Sequence, residues 1–482
     1  MKELINLNNQ IQMKSFEEFT EELISKHQIP GVGIGFAHNG TAVYEKGFGY
    51  RNVEKQLPVT MDTVFGIASV TKSFTCAAIM QLQEDGKLNV HDPVVKYLPE
   101  FSTPSEKTGE MTIHHFMTHT AGLPPLPSLI YANKRSLEAD PSVDDYPGLD
   151  IKDKDQEPID TYEQLMRYIG GLDFELLGDP GTEYSYSNDA YALLGAIIER
   201  VSGINYERYV KEYILEPAGM INSCSLIEEL DDSADITSLY AVKKTDDGDV
   251  VYEAPVWWDS PAMRPAGYLK STIRDMLNYA EIFRNKGMVA DKQILSPESV
   301  QQMIFPHFEI SPGRYYGYGF MVTPDYHGAT LVEHGGNLKA IASQLCIIPE
   351  KGITGMILTN LAGVPATAIM SGALNGIEGR AVDANHFNFE DYPILLEKLM
   401  EYEGTYTSNE GMSLSGIINN GILEFTMKGI TFPFQSVGED LFLATVNDQT
   451  EVVRFIRNTQ GEITRMAYHH RQFPKVEKQS VI

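Results

Sequence analysis

Late in the chain the pattern of apolar residues changes character, and no single architecture accommodates both parts. From about Tyr402 onward only short β-type runs remain, ILEFTM, TFPFQSV, LFLATV and EVVRFIR, with Asn420-Gly421 and Gln460-Gly461 between some of them. Evenly spaced short strands of this kind close into a small sandwich or barrel. Upstream, helix-period segments stand among strands. Phe16, Phe19 and Leu23 recur at helical spacing, so residues 15–26 read as a helix. Val32, Ile34 and Phe36 then alternate up to Asn39-Gly40, and Ala42 and Tyr44 follow, which is the signature of a β-hairpin. Residues 70–85 carry an apolar face that includes Phe74, Ala77, Ala78 and Leu82 and stop at Gly86, and 189–201 and 274–285 look similar. Leu345, Ile347 and Ile348 precede a turn at Pro349–Gly352 and Ile353, Met356 and Leu358 follow it, a buried antiparallel pair. The expected organisation is a mixed domain over 14–376, a polar linker over 377–396 and a small all-β barrel over 397–482. Residues 124–160, rich in proline and acid, read as a long loop or lid.

Composition narrows the function classes. Among 482 residues, 43% are apolar and 22% charged, with a formal net charge of −28. Nucleic acid and anionic membrane surfaces would repel such a chain. Cys76, Cys224 and Cys346 are widely spread and form no CxxC pair, so they read as three buried thiols in a reducing compartment. The opening residues MKELINLNNQIQMK lack the apolar run of a signal peptide. No stretch approaches the ~18 apolar residues of a membrane helix. A cytoplasmic chain without a membrane span is the expectation.

Ser69-Val70-Thr71-Lys72 occurs once. A serine hydroxyl needs an adjacent base to become a nucleophile. A lysine three residues on shares its helical face, and the Ser69 amide, at a helix start, is an unpaired donor suited to a developing oxyanion. The same four residues also describe an N-capping serine with a surface lysine. Tyr186-Ser187-Asn188 follows Pro180-Gly181-Thr182 and precedes an apolar helix. A tyrosine whose pKa a nearby lysine pulls down can act as general base, and Asn188 can bond both that lysine and a substrate carbonyl. His334-Gly335-Gly336 places two glycines in a strand, a mark of close approach by ligand or backbone. The amide of Asn337, just beyond, is a candidate second oxyanion donor. His115 and His119 lack the glutamate of an HExxH zinc site. GxSxG, P-loop and dinucleotide fingerprints are absent.

Taken in order, Ser-x-x-Lys, Tyr-x-Asn and His-Gly-Gly resemble the serine β-lactamase and penicillin-binding-protein family, some of whose relatives carry related motif sets. The text between them agrees: FGIASVTKSFT, FMTHTAGLP, PGTEYSYSNDAYALLGAIIE, PAGYLKSTIRDM and YGYGFMV. The chain is most similar to the branch of class C β-lactamases, D-aminopeptidases and carboxylesterases, over roughly Phe16 to Gly376. The resemblance implies an α/β (α+β) fold. An antiparallel sheet built from both ends of the domain is flanked by helices, beside a helical subdomain, and the small C-terminal barrel follows. It also implies Ser69 as nucleophile, Lys72 and Tyr186 as the proton-transfer pair, and Asn188 as a positioner. His334, Gly335, Gly336 and Asn337 would line the substrate strand.

The expected activity is acyl transfer through Ser69 on an ester or amide, by an esterase or D-amino-acid peptidase. β-Lactamase or D-Ala-D-Ala carboxypeptidase is the alternative, as is a penicillin-binding module that acylates without turnover. No metal or cofactor is called for. The partner is a small-molecule or peptide substrate, and a homo-oligomer is compatible with the sequence. Many relatives carry lysine where His334 stands. A neutral histidine anchors a carboxylate poorly, and residues 124–160 hold an excess of acid. Neutral esters or substrates with a free amine are therefore the expected preference.

Overall fold

The computed structural model describes residues 7–146, 151, 153–231, 233–387 and 389–476, with side chains of the first helix from Met13 onward. Nine antiparallel strands form the main sheet, and the two ends of the domain supply them. Gly31–His38, Thr41–Asn52 and Leu57–Pro58 come from the beginning, and six strands between Phe308 and Thr359 come from the end. The halves join where Gly31–His38 pairs with Ile353–Thr359. This strand, Ile341–Ile348 and Ile353–Thr359 are buried at essentially every position. Helices cover both faces there, so these strands read as apolar runs and lack a clean alternation.

Helices Leu7–Lys26 and Ala366–Ile377 pack on one face of the sheet, where Phe16, Leu23, Ile34, Phe36, Ile357 and Ile369 share a core. On the other face, Ile273–Arg284 joins a larger core with Thr71–Glu84, Asn188–Ser202 and the short helices Ile113–Met117 and Tyr162–Gly171. The Asn39-Gly40 turn lies where expected, with φ of 50° and 74°. The first helix begins at Leu7, earlier than the apolar spacing indicates. Residues 7–14 contain no Pro or Gly, so nothing in the backbone stops it there.

The reading of 124–160 as a long loop is corrected for its first half. Helices Ser128–Ala132 and Lys134–Ala139 and a 3-10 turn at Val143–Asp145 occupy its first half. Leu126, Ile130, Ala132 and Leu137 are buried. These helices are too short to show a clear period, so proline and acid dominated the reading. Part of the acid is paired: Asp140 with Lys339, Asp160 with Arg135, and Asp145 with the Tyr252 hydroxyl. Residues 147–150 and 152 of that stretch lie outside the described residues.

Gly404–Pro474 forms an eight-stranded antiparallel sheet coiled into a nearly closed barrel. Its ends meet at a bridge between Tyr406 and Lys475, with Val476 N–H donating to Thr405 O at 2.7 Å. Phe425, Phe432, Phe434, Phe442 and Phe455 fill it. The alternation of Ser413–Asn419, exposed and buried by turns, is that of a strand with one wet face. The three cysteines are free and buried. No helix among the described residues is long and apolar enough to cross a membrane.

Candidate active site

Ser69 stands in a 3-10 turn, Ala68–Val70, that leads into the helix Thr71–Glu84. The turn is held from both sides. Ile67 N–H donates to Leu269 O at 3.0 Å, the Thr71 hydroxyl donates to Ala68 O at 2.7 Å, and the Ser343 hydroxyl reaches Ile67 O at 2.8 Å. Ala68 takes φ of 45°, a strained value for alanine. The strand Leu331–Leu338 passes so closely that a Cβ on Gly336 would lie 2.6 Å from Ile67 O and 2.9 Å from the Ala68 Cβ. Glycine is required there, and the motif's second glycine is thereby explained.

The Lys72 side chain is fully buried. Its Nζ lies 2.8 Å from Asn188 Oδ1, 2.5 Å from Ala266 O and 3.3 Å from Ser69 Oγ. Burial, and secondarily the Arg471 cation, hold its pKa well below that of a free lysine. The geometry suits a neutral amine. Asn188 Oδ1 and Ala266 O can only accept, so they take its two hydrogens and the lone pair faces the Ser69 hydroxyl.

Tyr186 does not follow the expectation that Lys72 would pull its pKa down. Burial pushes the phenol well above its ordinary range, and Ser69 draws it only part of the way back. A lysine that burial drives toward its neutral form exerts little such pull. Among the described residues the Tyr186 hydroxyl has no hydrogen-bond partner of ordinary geometry, and Lys72 Nζ lies 4.6 Å above its ring. Asn188 is the first residue of the helix Asn188–Ser202, and the cap is Ser187, whose hydroxyl accepts from Ala190 N–H at 3.1 Å. Asn188 is thus free to face Lys72.

His334 is buried, and burial pushes its pKa down to about 3. Its strand is not the edge of the sheet, but the flanking strand Met321–Thr323 pairs only as far as Glu333. From His334 onward that side is open. Gly335 and Gly336 are half-buried, and Asn337 is exposed opposite Ala342. Ser69, Lys72, Tyr186, Asn188 and His334 therefore converge, and Gly336 holds the strand segment bearing Asn337 against the serine turn.

Four residues of the site were not found from the sequence: His119, Tyr316, Glu410 and Arg471. The last two belong to the barrel. Tyr186 N–H donates to His470 O at 2.8 Å, and Gln472 Nε2 donates to Glu183 Oε2 and Tyr184 O at 2.8 and 3.0 Å. The Arg471 guanidinium lies 5.1 Å from the centre of the Tyr186 ring and is ion-paired with Glu410. The turn that delivers it, His469-His470, has φ of 47° and 64° at both residues. Asn-Gly is the usual occupant of such a hairpin turn, so two histidines in it were a legible sign of a strained, site-directed loop.

Asp189, next to Asn188, is also buried, and burial raises its pKa to about 7 while the Ser128 hydroxyl bonds its Oδ1. A carboxyl with a raised folded pKa binds its proton more tightly folded than unfolded. It therefore costs stability as pH rises from about 4 to about 7. Asp189→Asn, which still accepts from Ser128, is expected to stabilise the chain at pH 8 by about 2–4 kcal/mol and by little at pH 4. Thermal midpoints of both proteins across that range check this, and equal midpoints at pH 8 would refute it.

A serine hydroxyl facing a buried lysine amine, between a helical region and an antiparallel sheet, defines the serine-hydrolase architecture shared by β-lactamases and penicillin-binding proteins. A family model described as Beta-lactamase matches residues 16–373, and the chain belongs to that family. It is similar to Protein flp of Staphylococcus aureus (strain MW2), 26% identical over 351 residues, covering 72% of this chain and 63% of the relative. Penicillin-binding protein 4* of Bacillus subtilis (strain 168) is 30% identical over 207 residues, 43% of this chain and 40% of the relative. The chain thus spans less than two thirds of these relatives' length. The octameric penicillin-binding protein homologue from Pyrococcus abyssi is 28% identical with a TM-score of 0.68, covering 96% of this chain and 100% of that one. SurE, 20% identical with a TM-score of 0.70 and covering 97% and 100%, shares the fold.

Proposed function

We propose that this serine hydrolase is an esterase or D-amino-acid peptidase that works through an acyl-Ser69 intermediate. The observation that carries the reading is the Lys72 amine, 3.3 Å from Ser69 Oγ with two carbonyl oxygens as its other partners. Ser69 Oγ attacks the carbonyl carbon as its proton passes to Lys72. The amides of Ser69 and Asn337 hold the oxyanion, and Asn188 orients the acyl side. The tetrahedral intermediate expels the alcohol or amine, which takes a proton from Tyr186, and Tyr186 is reprotonated from Lys72. Water then adds to the acyl-enzyme as Lys72 takes its proton; the acyl C–O bond to Ser69 breaks, the acid is released, and Lys72 returns the proton to Ser69 Oγ. A neutral His334 leaves the substrate strand without a cation, which supports neutral esters and amides as substrates.

A second reading draws on Arg471. Its guanidinium is placed beside Tyr186, so a substrate carboxylate could take the place that Glu410 now holds. Substrates of the D-Ala-D-Ala carboxypeptidase or β-lactam type fit that reading. SurE has been solved with D-Leu, which commends D-amino-acid derivatives for both readings.

Labelling with a fluorophosphonate, followed by peptide mass analysis, is expected to modify Ser69. Undiminished labelling of Ser69→Ala would refute its assignment. A rate screen across p-nitrophenyl esters, D-aminoacyl amides and a chromogenic cephalosporin then decides the class, and faster turnover of the cephalosporin favours the second reading. We further propose 14–376 as the hydrolase domain, 377–396 as linker, and 397–482 as a lipocalin-like barrel that shapes access to the site. Self-association, as in the octameric homologue, is tested by light scattering.

A further inference from the structure

His119 follows the short helix Ile113–Met117 and takes φ of 58°, in the left-handed region. It is buried, and its ring lies 4.1 Å from that of Tyr186. Its carbonyl accepts from Ser185 N–H at 3.0 Å, and its Nδ1 accepts from Ser187 N–H at 3.0 Å. The amides on either side of Tyr186 are thus both held by one residue, and the amide of Tyr186 itself by His470 O.

The same bonds fix where protons sit. A backbone amide can only donate, so His119 Nδ1 carries the lone pair and Nε2 the hydrogen. That Nε2 lies 3.2 Å from the Tyr316 hydroxyl, which it must donate to. Tyr316 Oη lies 3.1 Å from His334 Nε2. At the far end His334 Nδ1 stands 2.6 Å from Gly335 O, a group that only accepts. His334 therefore carries its hydrogen on Nδ1 and accepts from Tyr316 at Nε2. Two backbone groups, one at each end, set the direction of every bond between them.

We propose that His119 and Tyr316 are positioning residues: His119 holds the backbone on both sides of Tyr186, and Tyr316 links it to His334 in a one-way hydrogen-bond chain that keeps His334 in its neutral, Nδ1-protonated form. The inference rests on Tyr186 acting in proton transfer to or from Ser69. It deepens that reading by explaining why the third motif tolerates histidine. The chain makes His334 a fixed acceptor toward Tyr316 and withholds a cation from the substrate strand. Tyr316 cannot be read as a spare aromatic, because Gly317–Gly319 locks its segment against the nucleophile helix. Gly319 has φ of 73°, and a Cβ there would meet Ser73 Cα at 2.7 Å and Lys72 O at 3.0 Å.

The substitutions separate the two arms of His119. Asparagine offers an oxygen where Nδ1 stands and tolerates positive φ, so His119→Asn keeps the bond from Ser187. His119→Leu keeps neither side-chain bond, to Ser187 N–H or to Tyr316, and retains only the backbone carbonyl bond from Ser185. With a p-nitrophenyl ester and the full-length protein, His119→Leu is expected to lower kcat about 100-fold, the scale of a misplaced catalytic group. KM should stay within about threefold of wild type, since ground-state binding is not the target. His119→Asn should recover most of the loss. On 15N-histidine-labelled protein, NMR should find hydrogen on Nε2 of His119 and on Nδ1 of His334, and Tyr316→Phe should alter the His334 signals.

A folded His119→Leu with wild-type kcat, or hydrogen on Nδ1 of His119, overturns the proposal. If His119→Leu does not fold, His119→Asn, Tyr316→Phe and the wild-type tautomers decide it by the same criteria. Failure of the underlying reading looks different: wild-type protein that shows the expected tautomers yet leaves Ser69 unlabelled by fluorophosphonate would refute the role of Tyr186, and the proposal with it. Labelling at equal rates in wild type and folded His119→Leu would refute the proposal alone.

Discussion

Lys72→Ala is expected to lower kcat by about 10²–10⁴-fold, the range for loss of a general base, and Tyr186→Phe by at least about 10²-fold. Lys72→Arg should be as damaging as alanine, because a guanidinium cannot surrender its proton. The reason is the protonation state that the site imposes. Burial and Arg471 hold Lys72 well below an ordinary lysine, which favours the neutral amine that the proposed role of base requires. As pH falls the amine takes up a proton and loses its lone pair, and activity should fall with it. Tyr186 is pushed the other way by burial, which favours the protonated phenol and fits its proposed role as donor to the leaving group. Stopped-flow acylation and the pH profile of kcat/KM check both points. If Lys72→Arg keeps near wild-type turnover, Lys72 is not the base. Activity that rises only above pH 10 would show a lysine of ordinary pKa.

The second large effect is expected at Arg471. Arg471→Met should leave Glu410 without its partner in a site where both side chains are mostly buried, at 17% and 8% exposure. Breaking such a pair destabilises by about 3–5 kcal/mol, because the remaining charge is uncompensated. Glu410→Gln alongside it removes that charge and should restore most of the stability. For catalysis, the double variant isolates the guanidinium. If Arg471 binds a substrate carboxylate, kcat/KM for a D-aminoacyl acid should drop about 10–100-fold while its methyl ester is little changed, as for loss of a charged hydrogen bond. An equal drop on both would assign Arg471 to the packing of Tyr186 and remove the support for carboxylate-bearing substrates. The wild-type ratio of acid to ester rates decides between the two proposed readings.

The sequence by itself determined the local chemistry. Ser69 and Lys72 share a helical face whatever surrounds them, since three residues make most of a turn. The hairpin at Asn39-Gly40, the helices near 71–84, 188–202 and 273–284 and the run-turn-run at 345–358 are written in short-range period and turn residues. So was the change from mixed text to short strands that became the barrel. What the tertiary structure alone decided is everything that depends on distant segments meeting in a dry interior. That Lys72 and Tyr186 are both driven toward their neutral forms follows from burial, and burial is a property of the packed core. Residues 124–160 looked like a loop or lid because proline and acid mask short helices whose ion-pair and hydrogen-bond partners, such as Lys339 and Trp258, lie far along the chain. The acceptors that hold the Lys72 hydrogens come from Asn188 and Ala266, 116 and 194 residues away. Arg471, Glu410 and the His119–Tyr316–His334 chain carry no periodic signal, because a side chain that completes a site from another element needs only one position and no pattern.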